Sequence, residues 1–148
     1  MSVPTWRRNL SRIEFLYQTY QLEVRIMQIT FNISSKYKQT FGVTLLKDCD
    51  EALLHGRTAN RIFVKNQFQL DTRSYELDLM ASCVDNIATH FYVLMELLRH
   101  HDGVSLKDME KYYDWANDIG ERCDSIIAMI NGVKESDRKK FNKNEVSG

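Results

Sequence analysis

Between Ser105 and Val133, the residues Met109, Tyr112, Ala116, Ile119, Cys123, Ile126 and Ile130 follow one another at steps of three or four. That spacing lays one apolar stripe along an α-helix. A helix of this length with a single stripe takes its stability mainly from packing against other helices. The one proline, Pro4, stands ahead of every periodic segment, so no later helix is interrupted by a ring that lacks an N–H. The chain is therefore constrained to long helices that need one another. Ser105 with Asp108 reads as a capping pair at the start of this segment, and Gly132 as its stop signal.

Three further stripes supply the partners. From about Trp6 to Ile33, the residues Ile13, Leu16, Tyr20, Val24, Met27 and Phe31 form one, broadened by Phe15, Leu22, Ile26, Ile29 and Ile33. Ser34 to Lys38 reads as a polar break. A second helix, Thr40 to Phe63, has Leu46, Cys49, Leu53, Gly56, Asn60 and Phe63 as its seam, with Leu45, Ala52 and Ala59 alongside. Gly56 inside a helix costs up to ~1 kcal/mol against Ala, and a close approach of another helix would justify it. Asn66 to Thr72 reads as a connection. A third helix, Arg73 to His100, carries Leu77, Met80, Val84, Ile87, Phe91, Leu94 and Leu98, and His101-Asp102-Gly103 breaks the chain after it. Strand-like alternation is absent at any useful length. The pattern predicts an all-α fold, an antiparallel up-down-up-down four-helix bundle over residues 1–133. Residues 134–148 have no stripe despite Phe141, and read as a charged, disordered tail.

With 148 residues, 43% apolar and 27% charged, the composition suits one globular domain with an adequate core. No apolar run approaches the roughly 18 residues of a membrane span, and the N-terminus lacks the apolar segment of a secretory signal. The expected location is the cytoplasm, with no membrane partner. Cys49, Cys83 and Cys123 are odd in number and widely spaced, which argues for buried free thiols rather than a disulfide framework. Net charge is zero but unevenly spread. Up to Lys65 there are ten Lys and Arg against five Asp and Glu; from Asn66 to Val133 there are five against twelve. A positive first half and a negative second half point to a nucleic-acid face or to a charge-complementary contact within the protein or between copies.

The chemistry of helical-bundle enzymes is missing. A di-metal carboxylate site needs inward Glu-x-x-His pairs, and the chain has none. Glu51 with His55 and Glu96 with His100 are spaced by four, which surface contacts explain. His100-His101-Asp102 falls at a predicted helix end, where histidines face solvent or the last carbonyls. The Arg-x4–6-His motif of helical ribonucleases is absent, as are glycine-rich phosphate loops and G-x-S-x-G. The sequence reads as a non-enzyme with no metal or cofactor. Binding remains. Arg7, Arg8 and Arg12 open the first helix, and Arg57, Arg61 and Lys65 end the second. In an antiparallel pair these six share one end, a candidate phosphate-binding patch. Lys36, Tyr37 and Lys38 fall at the opposite end, as a second and separate candidate. The alternative is that all of them are ordinary solubilising charges, and the same choice stands for Arg138-Lys139-Lys140.

Lys36-Tyr37-Lys38 with Phe41-Gly42, Leu45 and Leu46 is similar to the basic-aromatic-glycine turn of one bundle family. Ala59-Asn60, then Asp118-Ile119-Gly120-Glu121, and finally Ile126 through Gly132 continue the likeness over roughly residues 10 to 133. The whole resembles the accessory variability determinant (Avd) of diversity-generating retroelements, which belongs with the four-helix bundles encoded in intervening sequences of large-subunit ribosomal RNA genes. The resemblance implies a non-enzymatic, pentameric partner of a reverse transcriptase. It also implies binding of nucleic acid, RNA or cDNA, through basic surfaces during mutagenic copying of a template RNA. Family members are often strongly basic whereas this chain is neutral, so the implied nucleic-acid binding is weaker. A positive and a negative half also suit a head-to-tail ring, in which unlike surfaces of neighbouring copies meet.

Overall fold

The computed structural model describes residues 13–147, with side chains as far as 143. Among these residues the fold is all-helical: α1 (Glu14–Thr30), α2 (Ser35–Asn60), α3 (Gln67–Arg99) and α4 (Leu106–Ser147). Each helix packs against two others, α1 on α2, α2 on α3, α3 on α4 and α4 on α1, while α1 and α3 do not pair, nor do α2 and α4. The contacts thus close a ring around one shared core, as in a bundle.

The third stripe emerges as expected. Leu77, Met80, Val84, Ile87, Phe91, Leu94 and Leu98 are all buried, joined by Cys83 and Met95. In α4, Ile119, Cys123, Ile126 and Ile130 are buried, with Tyr112 and Ala116 packed at the margin. Ser105 Oγ accepts from the Asp108 N–H at 3.1 Å, so the capping pair is present. Gly103 turns the chain before it at φ 81°, a left-handed conformation that suits glycine.

Four features depart from the sequence reading. Ser34 to Lys38 is not a break, because α2 already begins at Ser35. Tyr37, Phe41 and Leu45 stand four residues apart and all reach the core, which draws the helix upstream. Within α2 the buried line is Leu45, Cys49, Ala52, Gly56 and Ala59, whereas Leu46 and Asn60 are exposed and Phe63 lies exposed beyond the end of the helix. In α1 the buried line is Phe15, Leu16, Thr19, Leu22, Ile26 and Ile29, leaving Phe31 exposed and Tyr20 and Val24 half-exposed. The α2–α3 connection is residues 61–66, upstream of the expected Asn66 to Thr72, because α2 ends at Asn60 and α3 already begins at Gln67. Asn66 caps α3 by accepting from the Gln69 N–H at 2.9 Å, and Gln69 Oε1 accepts from the Lys65 N–H at 2.7 Å.

The largest departure is at the C-terminus. Residues 134–147 are not a disordered tail, since α4 runs 42 residues through Gly132 to Ser147. Its inner line continues at steps of four with Val133 half-buried, the polar Asp137, and Phe141. Asp137 accepts from Arg73 Nε at 2.6 Å, Lys134 pairs with Asp78, and Phe141 is 9% exposed. Ion pairs to α3 stand where the eye looks for apolar residues.

Gly56 marks the tightest point of the core. A Cβ there would lie 2.6 Å from Leu16 Cδ2 of α1 and 2.7 Å from Met80 Sδ of α3. The close approach that the sequence suggested is present, and it involves three helices rather than two.

Candidate nucleic-acid and partner surfaces

α2 sets the geometry of the basic candidates. Lys36, Tyr37 and Lys38 lie in its first turn and Arg57 in its last, with Arg61 and Lys65 just beyond. At 1.5 Å per residue, the 25 steps from Lys36 to Arg61 separate the two groups by about 37 Å. The two groups therefore lie at opposite ends of α2. Arg7, Arg8 and Arg12 lie outside the described residues. The start of α1 does reach the end of α2, because Ile13, Glu14 and Phe15 border one crevice with Asn60.

At the α1–α2 end the cations are already occupied by neighbouring rings. Lys38 Nζ stands 5.2 Å from the centroid of Phe31, and Lys36 Nζ 5.9 Å from that of Tyr37. Tyr37 is half-buried and meets the ring of His101 edge-on at 6.3 Å. That contact ties the first turn of α2 to the α3–α4 connection. Tyr37 is therefore a packing residue as much as a surface one.

The α2–α3 corner is different. Arg57, Arg61 and Lys65 are exposed, and among the described residues the Arg61 and Lys65 side chains have no hydrogen bond or ion pair. Two phenylalanines stand with them: Phe63 is 78% exposed and Phe68 77%. Arg61, Phe63, Lys65 and Phe68 line one open depression of about 370 Å³ together with Ile62 and Gln69. Sequence reasoning placed Phe63 in a helix seam and passed over Phe68. The available signal was alternation, two aromatics interleaved with two cations around the turn residues Lys65-Asn66.

Elsewhere, charge is used to join helices. Arg25 Nε donates to Asp118 Oδ2 at 3.0 Å and Arg122 Nε to its other oxygen at 2.8 Å. Burial acts to raise Asp118, but hydrogen bonds and charge from Arg122 and Arg25 outweigh it and hold the carboxyl below its ordinary range. Glu23 goes the other way. Burial, then the charge and hydrogen bond of Asp50, push it up, and Arg57 opposes them only in part. His55 Nδ1 meets Glu76 at 2.7 Å, not Glu51, and His90 Nδ1 meets the buried Asp48 at 2.6 Å. Both pairs clasp α2 to α3. A crevice of about 470 Å³ lies between the start of α1 and α4, and Arg73 on its wall is engaged by Asp137 and by the Ala59 carbonyl at 2.8 Å.

All three cysteines are free and buried. Burial, above all, raises each thiol, Cys123 to about 12. Among the described residues no group of three His, Cys, Asp or Glu is placed to hold a metal ion, and no helix is long and apolar enough to cross a membrane. The chain matches no family model, no curated protein and no solved structure.

Proposed function

We propose that this chain is a non-enzymatic accessory protein of a retroelement reverse transcriptase, an oligomeric scaffold that binds the polymerase and its template RNA or cDNA in mutagenic retrohoming. One observation carries the reading beyond the likeness to Avd: the open α2–α3 corner, where exposed Arg61 and Lys65 have no carboxylate partner among the described residues and Arg57 stands beside them. Cations that fold the protein are paired, as Arg25, Arg73 and Lys134 are. Unpaired ones projecting from a rigid helix end suit phosphate contact, which positions a nucleic acid without reading its sequence. Lys36, Tyr37 and Lys38 form the second candidate contact, and Arg7, Arg8 and Arg12 extend the first.

The same reading includes helix direction. Along α2 the positions 48, 55 and 59 meet 90, 76 and 73 of α3, and along α3 the positions 73 and 78 meet 137 and 134 of α4. Opposed order of this kind supports an antiparallel up-down-up-down bundle. The positive and negative halves of the chain support a head-to-tail ring, a pentamer by resemblance, working in the cytoplasm. Light scattering at low and high salt tests the ring; a stable monomer at low salt and micromolar concentration refutes it.

The decisive test of the basic corner replaces Arg57, Arg61 and Lys65 with Ala. Pull-down of the neighbouring polymerase and its RNA is expected to weaken while the helical content stays unchanged. Unaltered recovery of both would remove these positions from the site. The zero net charge favours one second reading, a generic oligomeric bundle of the ribosomal-intervening-sequence type with no polymerase partner. Gene neighbourhood separates the two, since only the first reading requires an adjacent reverse transcriptase gene and template repeat.

A further inference from the structure

We infer that the α2–α3 corner is a stacking platform for single-stranded nucleic acid, on which Phe63 and Phe68 hold bases while Arg61 and Lys65 hold the flanking phosphates. The inference rests on the nucleic-acid reading proposed above and narrows it to a strand form and to two residues that no charge argument selects.

Two exposed phenylalanines, one within the six-residue connection 61–66 and one just after it, are costly in water, because each leaves most of a large apolar ring uncovered. Two other exposed rings are partly covered by cations, Lys38 over Phe31 and Arg99 over Tyr113 at 5.5 Å, while the exposed Tyr75 and Tyr92 each carry a hydroxyl that water satisfies. Among the described residues, Phe63 and Phe68 have no ring or cation partner, and they border the same depression. Arg61 and Lys65 beside them likewise have no hydrogen bond or ion pair among the described residues. Open aromatic faces alternating with open cations match an unpaired strand, whose bases offer π-faces at the spacing of its phosphates. A duplex fits poorly, since its bases are stacked on one another and only its phosphates can be reached. A plain apolar protein partner fits less well than a polyanion, because Arg61 and Lys65 would be buried against it without counter-charges. The start of α3 beside Phe68 is also held in shape: Asn66 caps the helix, and Gln69 Oε1 accepts from the Lys65 N–H.

The experiment uses the full chain and a fluorescein-labelled oligouridine of about 12 nucleotides, within the usual length range for such sites. Fluorescence anisotropy is read against a salt series, beside an RNA duplex of equal length. The variants are F63L/F68L, which keeps apolar volume but removes the π-faces, and R61A/K65A. The double Leu variant is expected to bind the single strand about tenfold or more weakly, with an unchanged salt slope. The double Ala variant is expected to flatten that slope by roughly 1.4, at about 0.7 per lost phosphate contact. Equal affinity of the Leu variant and the parent overturns the platform while leaving the basic corner of the proposed function intact. Duplex bound as tightly as single strand overturns it too. So does a Leu variant that binds RNA normally but loses self-association by light scattering, which would assign the rings to a contact between copies. A parent chain that binds neither RNA form sinks both the platform and the RNA half of the proposed function, and polymerase pull-down then judges the other half. Thermal melts by circular dichroism confirm that these exposed substitutions leave the fold in place.

Discussion

Replacing Gly56 with Ala pits two well-defined effects against each other. In an exposed helix interior the change would stabilise by up to ~1 kcal/mol, because Ala loses less backbone freedom on folding. Here the new methyl would stand 2.6 Å from Leu16 Cδ2 and 2.7 Å from Met80 Sδ, far inside van der Waals contact. Leu16 is 2% exposed and Met80 0%, so neither side chain can swing into solvent. Forcing a methyl into a packed core costs about 1–3 kcal/mol. Taking ~2 kcal/mol for the clash against ~1 kcal/mol of helix preference, the net is a loss of about 1 kcal/mol. For a chain of this size that lowers the melting temperature by about 2–4 °C. Urea denaturation followed at 222 nm measures it, with two controls. Gly132→Ala has nothing within 4 Å of its new methyl and should stabilise. In a Leu16→Ala background the cost of Gly56→Ala should fall or reverse, as expected for residues in contact. Stabilisation by Gly56→Ala alone, or an identical cost in both backgrounds, would refute the three-helix contact.

Phe141→Ala is expected to lose about 2 kcal/mol in the same urea assay, the scale for exposing one buried aromatic ring. A truly frayed terminus would give no change. Asp118 sits below its ordinary range when folded, so its pairing with Arg25 and Arg122 contributes stability above the unfolded value that is lost as pH falls through the folded one. Asp118→Asn should therefore shrink the loss of stability on acidification between those two values; an unaltered acid limb counts against the pairing. Glu23 is raised, so the folded state is penalised above that value, and Glu23→Gln should stabilise near neutrality with a gain that fades as pH drops. The buried thiols of Cys49, Cys83 and Cys123 should resist a thiol-reactive dye in native protein and react in denaturant; fast native labelling would contradict their burial.

What could be read without coordinates follows from how helices bury side chains. The α3 stripe was legible residue by residue because every inward position is apolar. In α2, Leu45 and Leu46 both fit steps of three and four, and only the positions of α1 and α3 decide that Leu45 faces in. The last turns of α4 were illegible for a different reason. Arg73 and Asp78 of α3 supply partners for Asp137 and Lys134, so polar residues occupy the buried line and imitate a solvated tail. His55 misled in the same way, since Glu51 is its neighbour on the helix but Glu76 its partner in the fold. Charge patterning located Arg57, Arg61 and Lys65. Phe63 escaped because it was assigned to a helix seam and Phe68 because it fell in an expected connection, whereas both stand in water.

Reconstituted reverse transcription tests the central claim most directly: the reverse transcriptase and template RNA that the proposed function requires beside this gene, with and without this protein. Template-specific cDNA should form only when the chain is present, and Arg57, Arg61 and Lys65 changed together to Ala should reduce it severalfold. Equal cDNA yield without the chain, or turnover of a substrate by the chain alone, would contradict the account.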